Sequence, residues 1–292
     1  MSLSRRLIGS RQPARLYYGW VLVGALGMTE AISWGVLYYA FGALLVPMEA
    51  DLGWSRGVIT GALSLALVIS GLAAIPVGRW LDQHGARALM SLGSVAGSLL
   101  VLAWAATDSP ILFYLVWAGI GVVMAMLLYE PAFAVVATWF DRYRARALTA
   151  VALMGGFAST IFLPLTGWLV EAQGWRAAVV SLAIVLAVGT LPPHALLLRR
   201  RPEDLGLHPD GAPGATHAEH PRARTADVSL GVAVRDATFR WLVVAFCLST
   251  AVAFGVHIHM VSLLLDRGYA PTLAAALAGA VGAVQAVGRI LL

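Results

Sequence analysis

Glu30, Glu130 and His257 stand inside long apolar runs of the chain. Ionisable side chains are costly in hydrocarbon, so each one there faces a cavity, a partner or a proton path. Helical spacing places Glu30, Trp34, Tyr38 and Phe41 on one face. A carboxyl beside an aromatic stripe can line a solute path; the competing reading is an acid that merely joins helices through hydrogen bonds. Glu130 lies between Tyr129 and Pro131. Proline removes a backbone hydrogen bond and can bend a helix, and a bend beside an acid suits a gate or a proton site. A structural pair with Arg142 or Arg144 is the alternative there. His257 and His259 are two residues apart and point to nearly opposite sides of a helix. They do not form a helical metal pair. His257 is the better candidate to meet an anionic solute or carry a proton, against two histidines satisfied by neighbouring helices.

Enzyme chemistry has no foothold. There is no His-Glu-x-x-His, no phosphate loop and no nucleophile elbow. The single cysteine, Cys247, has no intrachain partner, and nothing indicates a metal or cofactor. His194, His208, His217 and His220 surround a polar stretch and read as solvated.

The elements that must position these residues follow from composition. The chain is 60% hydrophobic and 12% charged, whereas soluble domains are near half apolar and a quarter charged. Eight runs reach the roughly 20 residues that cross a bilayer: about 17–46, 54–80, 86–106, 111–139, 147–170, 177–198, 239–265 and 272–292. The expected organisation is a polar tail at 1–16, a six-helix bundle at 17–198, a mobile connector at 199–236 rich in Pro, Gly, His and Arg, and two further helices at 237–292. The tail carries Arg5, Arg6, Arg11 and Arg15 and does not read as a signal peptide. Every basic residue is arginine, and the net charge is +5. Arginines cluster in loops of one face (Arg79, Arg87, Arg142, Arg144, Arg146 and Arg199 to Arg201), while the other loops hold Arg56, Arg176 and Arg267. The positive-inside rule then puts both termini in the cytoplasm. Lipid headgroups, and not nucleic acid, account for the basic balance. Glycines such as Gly93, Gly97, Gly119 and Gly121 read as helix-packing positions.

The stretch from Gly78 to Met90, between the second and third runs, resembles the signature loop of the major facilitator superfamily of transporters. Gly78, Asp82, Gly85 and Arg87 carry that likeness; Gln83 and Ala86 stand where the family usually has bases. Asp82 is placed just past the end of a helix, within reach of Arg79 and Arg87. The resemblance implies an all-α membrane fold with one complete six-helix bundle and the first two helices of a second. It also implies a conformational latch built from Asp82 and Arg79, Arg87, Arg142, Arg144 and Arg146; helix capping and topology are the plainer role for the same residues. Tyr18-Gly19-Trp20, Leu52-Gly53-Trp54-Ser55-Arg56 and Arg200-Arg201-Pro202-Glu203-Asp204-Leu205-Gly206 are similar to bacterial members of the monocarboxylate and oxalate-formate type. That likeness implies a small organic anion carried with a proton or against another anion, in the inner membrane. It also implies a C-terminal truncation, since a second signature loop would begin where the sequence stops. Export of a hydrophobic, drug-like compound and a membrane protein that transports nothing remain open. Span five lacks the glycine–proline signature of drug exporters. The first six spans offer no arginine at mid-membrane to bind an anion.

Overall fold

The computed structural model describes residues 17–211, 232 and 234–291, and the regular elements among them are all helical. A helix rises about 1.5 Å per residue and satisfies its own backbone, which is what a lipid-embedded chain requires. Among the described residues, seven stretches are long and apolar enough to cross a membrane: Tyr18–Leu52, Arg56–His84, Ala86–Ala105, Pro110–Trp139, Arg144–Gln173, Trp175–Leu197 and Ala237–Asp266. An eighth helix follows at Pro271–Leu291, of which Pro271–Val281 counts as a shorter apolar helix.

Three spans are interrupted. The first consists of α1 (Tyr18–Trp34), a π-helical turn (Gly35–Tyr39) and α2 (Ala40–Leu52). After α3 (Arg56–His84) and α4 (Ala86–Ala105), the fourth span divides into α5 (Pro110–Leu127) and α6 (Tyr129–Trp139). The fifth divides into α7 (Arg144–Gly156) and α8 (Ala158–Gln173). Next come α9 (Trp175–Pro192) with a π turn at Pro193–Leu197, then α10 (Ala237–Asp266) and α11 (Pro271–Leu291). Within the first six spans α3 packs on α5, α4 on α9 and α1 on α7. The later helices dock onto this bundle, α10 against α2 and α11 against α8.

Helix ends run further than hydrophobicity alone suggests. The first span continues through Pro47 to Leu52, so the loop expected at 49–55 shrinks to Gly53, Trp54 and Ser55. The second continues to His84, so Asp82 lies in the last helical turn and not beyond it. A polar turn at a membrane surface keeps its helical hydrogen bonds at no cost in burial. Gly85 alone joins α3 to α4, at φ +81, where a side chain is strained. The polar stretch after span six is ordered from Arg199 to Gly211. Asp210 accepts from the backbone N–H groups of Asp141, Arg142 and Tyr143 at 3.1, 2.7 and 3.3 Å, and Arg200 donates to the carbonyl of Gln83 at 2.6 Å. Tyr17, donating to the Trp139 carbonyl at 2.9 Å, has its phenol pushed up to about 12 by burial and by the neighbouring Asp210 charge.

The bundle core is aromatic. Trp104 and Trp117 lie 4.9 Å apart between ring centroids, and Phe41 meets Trp117 at 4.9 Å. Close helix approach elsewhere depends on small residues. A Cβ on Gly121 would run into the carbonyl oxygen of Ala66 on α3, while one on Gly24 would meet open space. Gly121→Ala is therefore expected to destabilise the α3–α5 pair by about 1–3 kcal/mol, read as a lower thermal midpoint in detergent. Gly24→Ala, as the control, leaves that midpoint unchanged or higher.

Candidate functional site

Glu30 lies on α1 with none of its surface exposed. Neither carboxyl oxygen has a hydrogen-bond partner among the described residues, and the same holds for Ser33 Oγ and Trp34 Nε1. The Trp34 indole faces the carboxyl from outside hydrogen-bond geometry, and Glu130 lies within electrostatic reach. A buried polar group without a partner is expensive, so this group of three is the main unsettled polar feature of the first span.

The π turn that follows changes the register. Gly35 opens it, and the absent side chain there leaves room for the ring of Phe162, with which a Cβ would collide. Trp34 and Tyr38 meet edge to face at 5.8 Å, and Tyr38 meets Phe254 of α10 at 4.8 Å. The Tyr38 hydroxyl donates to the Phe254 carbonyl at 3.2 Å. Phe41, expected on the same stripe, instead turns into the bundle core against Trp117. An extra residue in the turn rotates everything after it, which a uniform helical period does not anticipate.

Glu130 enters from the fourth span. The bend expected at Pro131 occurs instead at Leu128, whose backbone is extended at φ −80 and ψ −168. Pro131 sits in the first turn of α6, where its missing N–H costs no helical hydrogen bond. Glu130 is exposed and lies in that same first turn, a favourable place for a carboxylate. It has no ion pair with Arg142 or Arg144 among the described residues; Arg144 pairs with Asp141 at 2.9 Å. Tyr129 and Phe133 stack at 5.0 Å, and Tyr129 approaches Trp34 at 5.3 Å. Glu30, Trp34, Tyr38 and Glu130 are thus brought together, with Tyr129, Phe133 and Phe254 added by the structure. The tyrosine and phenylalanine of α6 were legible as neighbours of Glu130 at helical spacing. Phe254 had no such signal, because its partners lie on the first span. His257 belongs to α10, but its side chain lies outside the described residues.

The signature stretch is arranged differently from expectation. Asp82 is exposed and makes no ion pair among the described residues; Arg87 donates to the carbonyl of Ala195 at 2.8 Å. Arg142 and Arg146 lie over the Tyr143 ring, their guanidinium carbons 5.5 and 5.8 Å from its centroid. Asp82, Gly85, Thr138, Asp141, Arg200 and Glu203 border a cavity of about 620 Å³ on this arginine-rich face. Gly78 is helical, in open space. The ion pairs that join elements sit on the opposite face. Arg56 binds Glu49 at 2.6 Å and holds Asp266, at the end of α10, by two bonds of 2.6 and 2.8 Å. Arg176 reaches Asp108 at 2.5 Å and Asp51 at 3.4 Å. His194, expected in solvent, is buried and shares a 2.8 Å hydrogen bond with Ser94.

This arrangement of paired spans agrees with the family comparison. The chain matches the Major Facilitator Superfamily over residues 22–292, and it belongs to that family. It is a multi-pass membrane protein and not an enzyme. It is 28% identical over 277 residues to monocarboxylate transporter 13 of Bos taurus, covering 94% of this chain and 60% of that protein. It is 31% identical over 260 residues to monocarboxylate transporter 11 of Mus musculus, covering 86% and 53%. The riboflavin transporter RibJ of Trypanosoma brucei brucei is 27% identical over 200 residues, covering 66% and 36%. The chain therefore spans about half to three fifths of the length of the monocarboxylate transporters it matches.

The Arg56 pair is open to a direct check. With the exposed Cys247 replaced by serine, spin labels at Ser64 and Leu263 are expected to give one narrow distance distribution. Asp266→Asn, or high salt, which screens exposed pairs, broadens it. An unchanged distribution would show that α10 is held by apolar packing alone.

Proposed function

We propose that this protein carries a small monocarboxylate together with a proton across the membrane by alternating access, with Glu30 as the shared site. The observation behind this reading is the group of unpartnered atoms at Glu30, Ser33 and Trp34. In its proton-bearing form the Glu30 carboxyl donates a hydrogen bond, as do the serine hydroxyl and the indole N–H. Three donors within about one helical turn suit the oxygens of a carboxylate. With the proton gone, the Glu30 carboxylate repels the same anion, so proton and solute load together and leave together. Glu130, on the exposed side, is the next stop for the proton. The names of the mammalian relatives favour the same substrate class.

Alternating access on this reading closes one face by the Arg56–Asp266 pair and opens it when the pair parts. The Gly78–Arg87 stretch with Arg142 and Arg144 is the gating element of the other face, and His257 on α10 is a further candidate for the path. The charge bias supports a cytoplasmic orientation for the arginine-rich face and both termini, and the reading places the protein in the plasma membrane.

One observation favours a second reading. Among the described residues every arginine lies in a loop or within two turns of a helix end, leaving the Glu30 carboxyl and a group of rings in the interior, with Glu130 exposed beside them. Such a site also suits an aromatic cation, and export of such a compound is the alternative.

The test is uptake of labelled lactate or pyruvate into proteoliposomes, with and without an inward proton gradient, against protein-free vesicles. The gradient is expected to accelerate saturable uptake. Glu30→Gln should abolish that acceleration while leaving solute exchange across the membrane. Gradient-driven uptake that survives Glu30→Gln would contradict the assignment.

A further inference from the structure

We infer, resting on the carboxylate reading above, that the solute is a planar aromatic monocarboxylate, whose ring lies among Trp34, Tyr38, Tyr129, Phe133 and Phe254. Three separate elements supply these rings: the first span, α6 and α10. They meet at tilted and edge-to-face angles, with Trp34 and Tyr129 at 43° and Tyr38 and Phe254 at 67°. Trp34, Tyr129, Phe133 and Phe254 remain partly exposed. The packing core is built otherwise: Phe41, Trp104, Phe113 and Trp117 are fully buried against one another.

The ring-lined region adjoins the unpartnered donors at Glu30, Ser33 and Trp34. A short aliphatic acid offers two carboxylate oxygens and little else. Among the described residues no arginine in the interior supplies an ionic contact to hold it. Neutral donors alone discriminate a carboxylate weakly from water, so the remaining affinity must come from the rest of the solute. Partly exposed aromatic rings reward a flat conjugated group by offset stacking and edge contacts. Because α10 contributes Phe254 and takes the Tyr38 hydroxyl on its backbone, a ring bound there touches both the first bundle and the later helices. A solute that does so can bias the two arrangements of those parts, as a carrier requires.

The test is calorimetric binding to the full chain in nanodiscs, with empty nanodiscs subtracted for partitioning. Phenylacetate, lactate and phenethylamine are compared. Phenylacetate is expected to bind at least about tenfold more tightly than lactate. Phe133→Leu and Tyr129→Leu should each erode that preference, lowering phenylacetate affinity by a larger factor than lactate affinity. Equal affinities, or tighter lactate binding, overturn the inference and leave the monocarboxylate reading intact. A preference that survives both leucine variants also overturns it, because the rings then serve only packing. Phenethylamine binding without either acid overturns the carboxylate reading and the inference with it. Binding of none of the three overturns both for this chain.

Discussion

A carboxyl buried in a membrane protein without a partner constrains everything near it. Glu30 has no exposed surface and no hydrogen bond among the described residues. Keeping it ionised there would cost far more than the marginal stability of a fold allows. Its neutral, proton-bearing form is the one such a site tolerates, and the proposed function has a solute and a proton reach it together. The surrounding rings supply a wall that excludes water, and the loop ion pairs lie far from it at the helix ends. The fold can be read as the means of keeping this group isolated in one state and reachable in another.

The backbone departs from regular helix beside that group. The π turn at Gly35–Tyr39 begins about one helical turn after Glu30, and the extended residue Leu128 precedes Glu130 by two positions. Irregular backbone within a membrane persists only where protein covers it or where it lines a path. Each break also aims a side chain: the π turn directs Tyr38 toward α10, and the Leu128 break brings Tyr129 against Trp34. Helix breaks are natural points of flexure, so the same features that shape the site also give it somewhere to move.

Much of this architecture was legible from residue types. Span number, antiparallel order and the concentration of arginine on one face follow from hydrophobic length and charge placement. Glu30 and Glu130 declared themselves by being acids in apolar runs. The signature residues Gly78, Asp82, Gly85 and Arg87 located the family. What the sequence concealed was non-local or depended on register. A π turn leaves no period in the residues themselves, so Phe41 was assigned to the wrong face. Pro131 advertised a bend that Leu128 makes, because a proline in a first helical turn is harmless. Arg56 and Asp266 are separated by 210 positions, and nothing in either neighbourhood announces the other. His194, next to two prolines at the end of an apolar run, looked solvated; the closing π turn carries it back onto Ser94.

The most direct measurement is infrared difference spectroscopy on the reconstituted protein, with and without a monocarboxylate. If Glu30 holds the proton, a carbonyl stretch from a protonated carboxylic acid shifts or disappears when the solute binds. That signal must be absent from Glu30→Gln and present in Glu130→Gln. A difference spectrum without a protonated-carboxyl signal, or one that Glu30→Gln leaves unchanged, would contradict the claim that Glu30 holds the proton at the solute site.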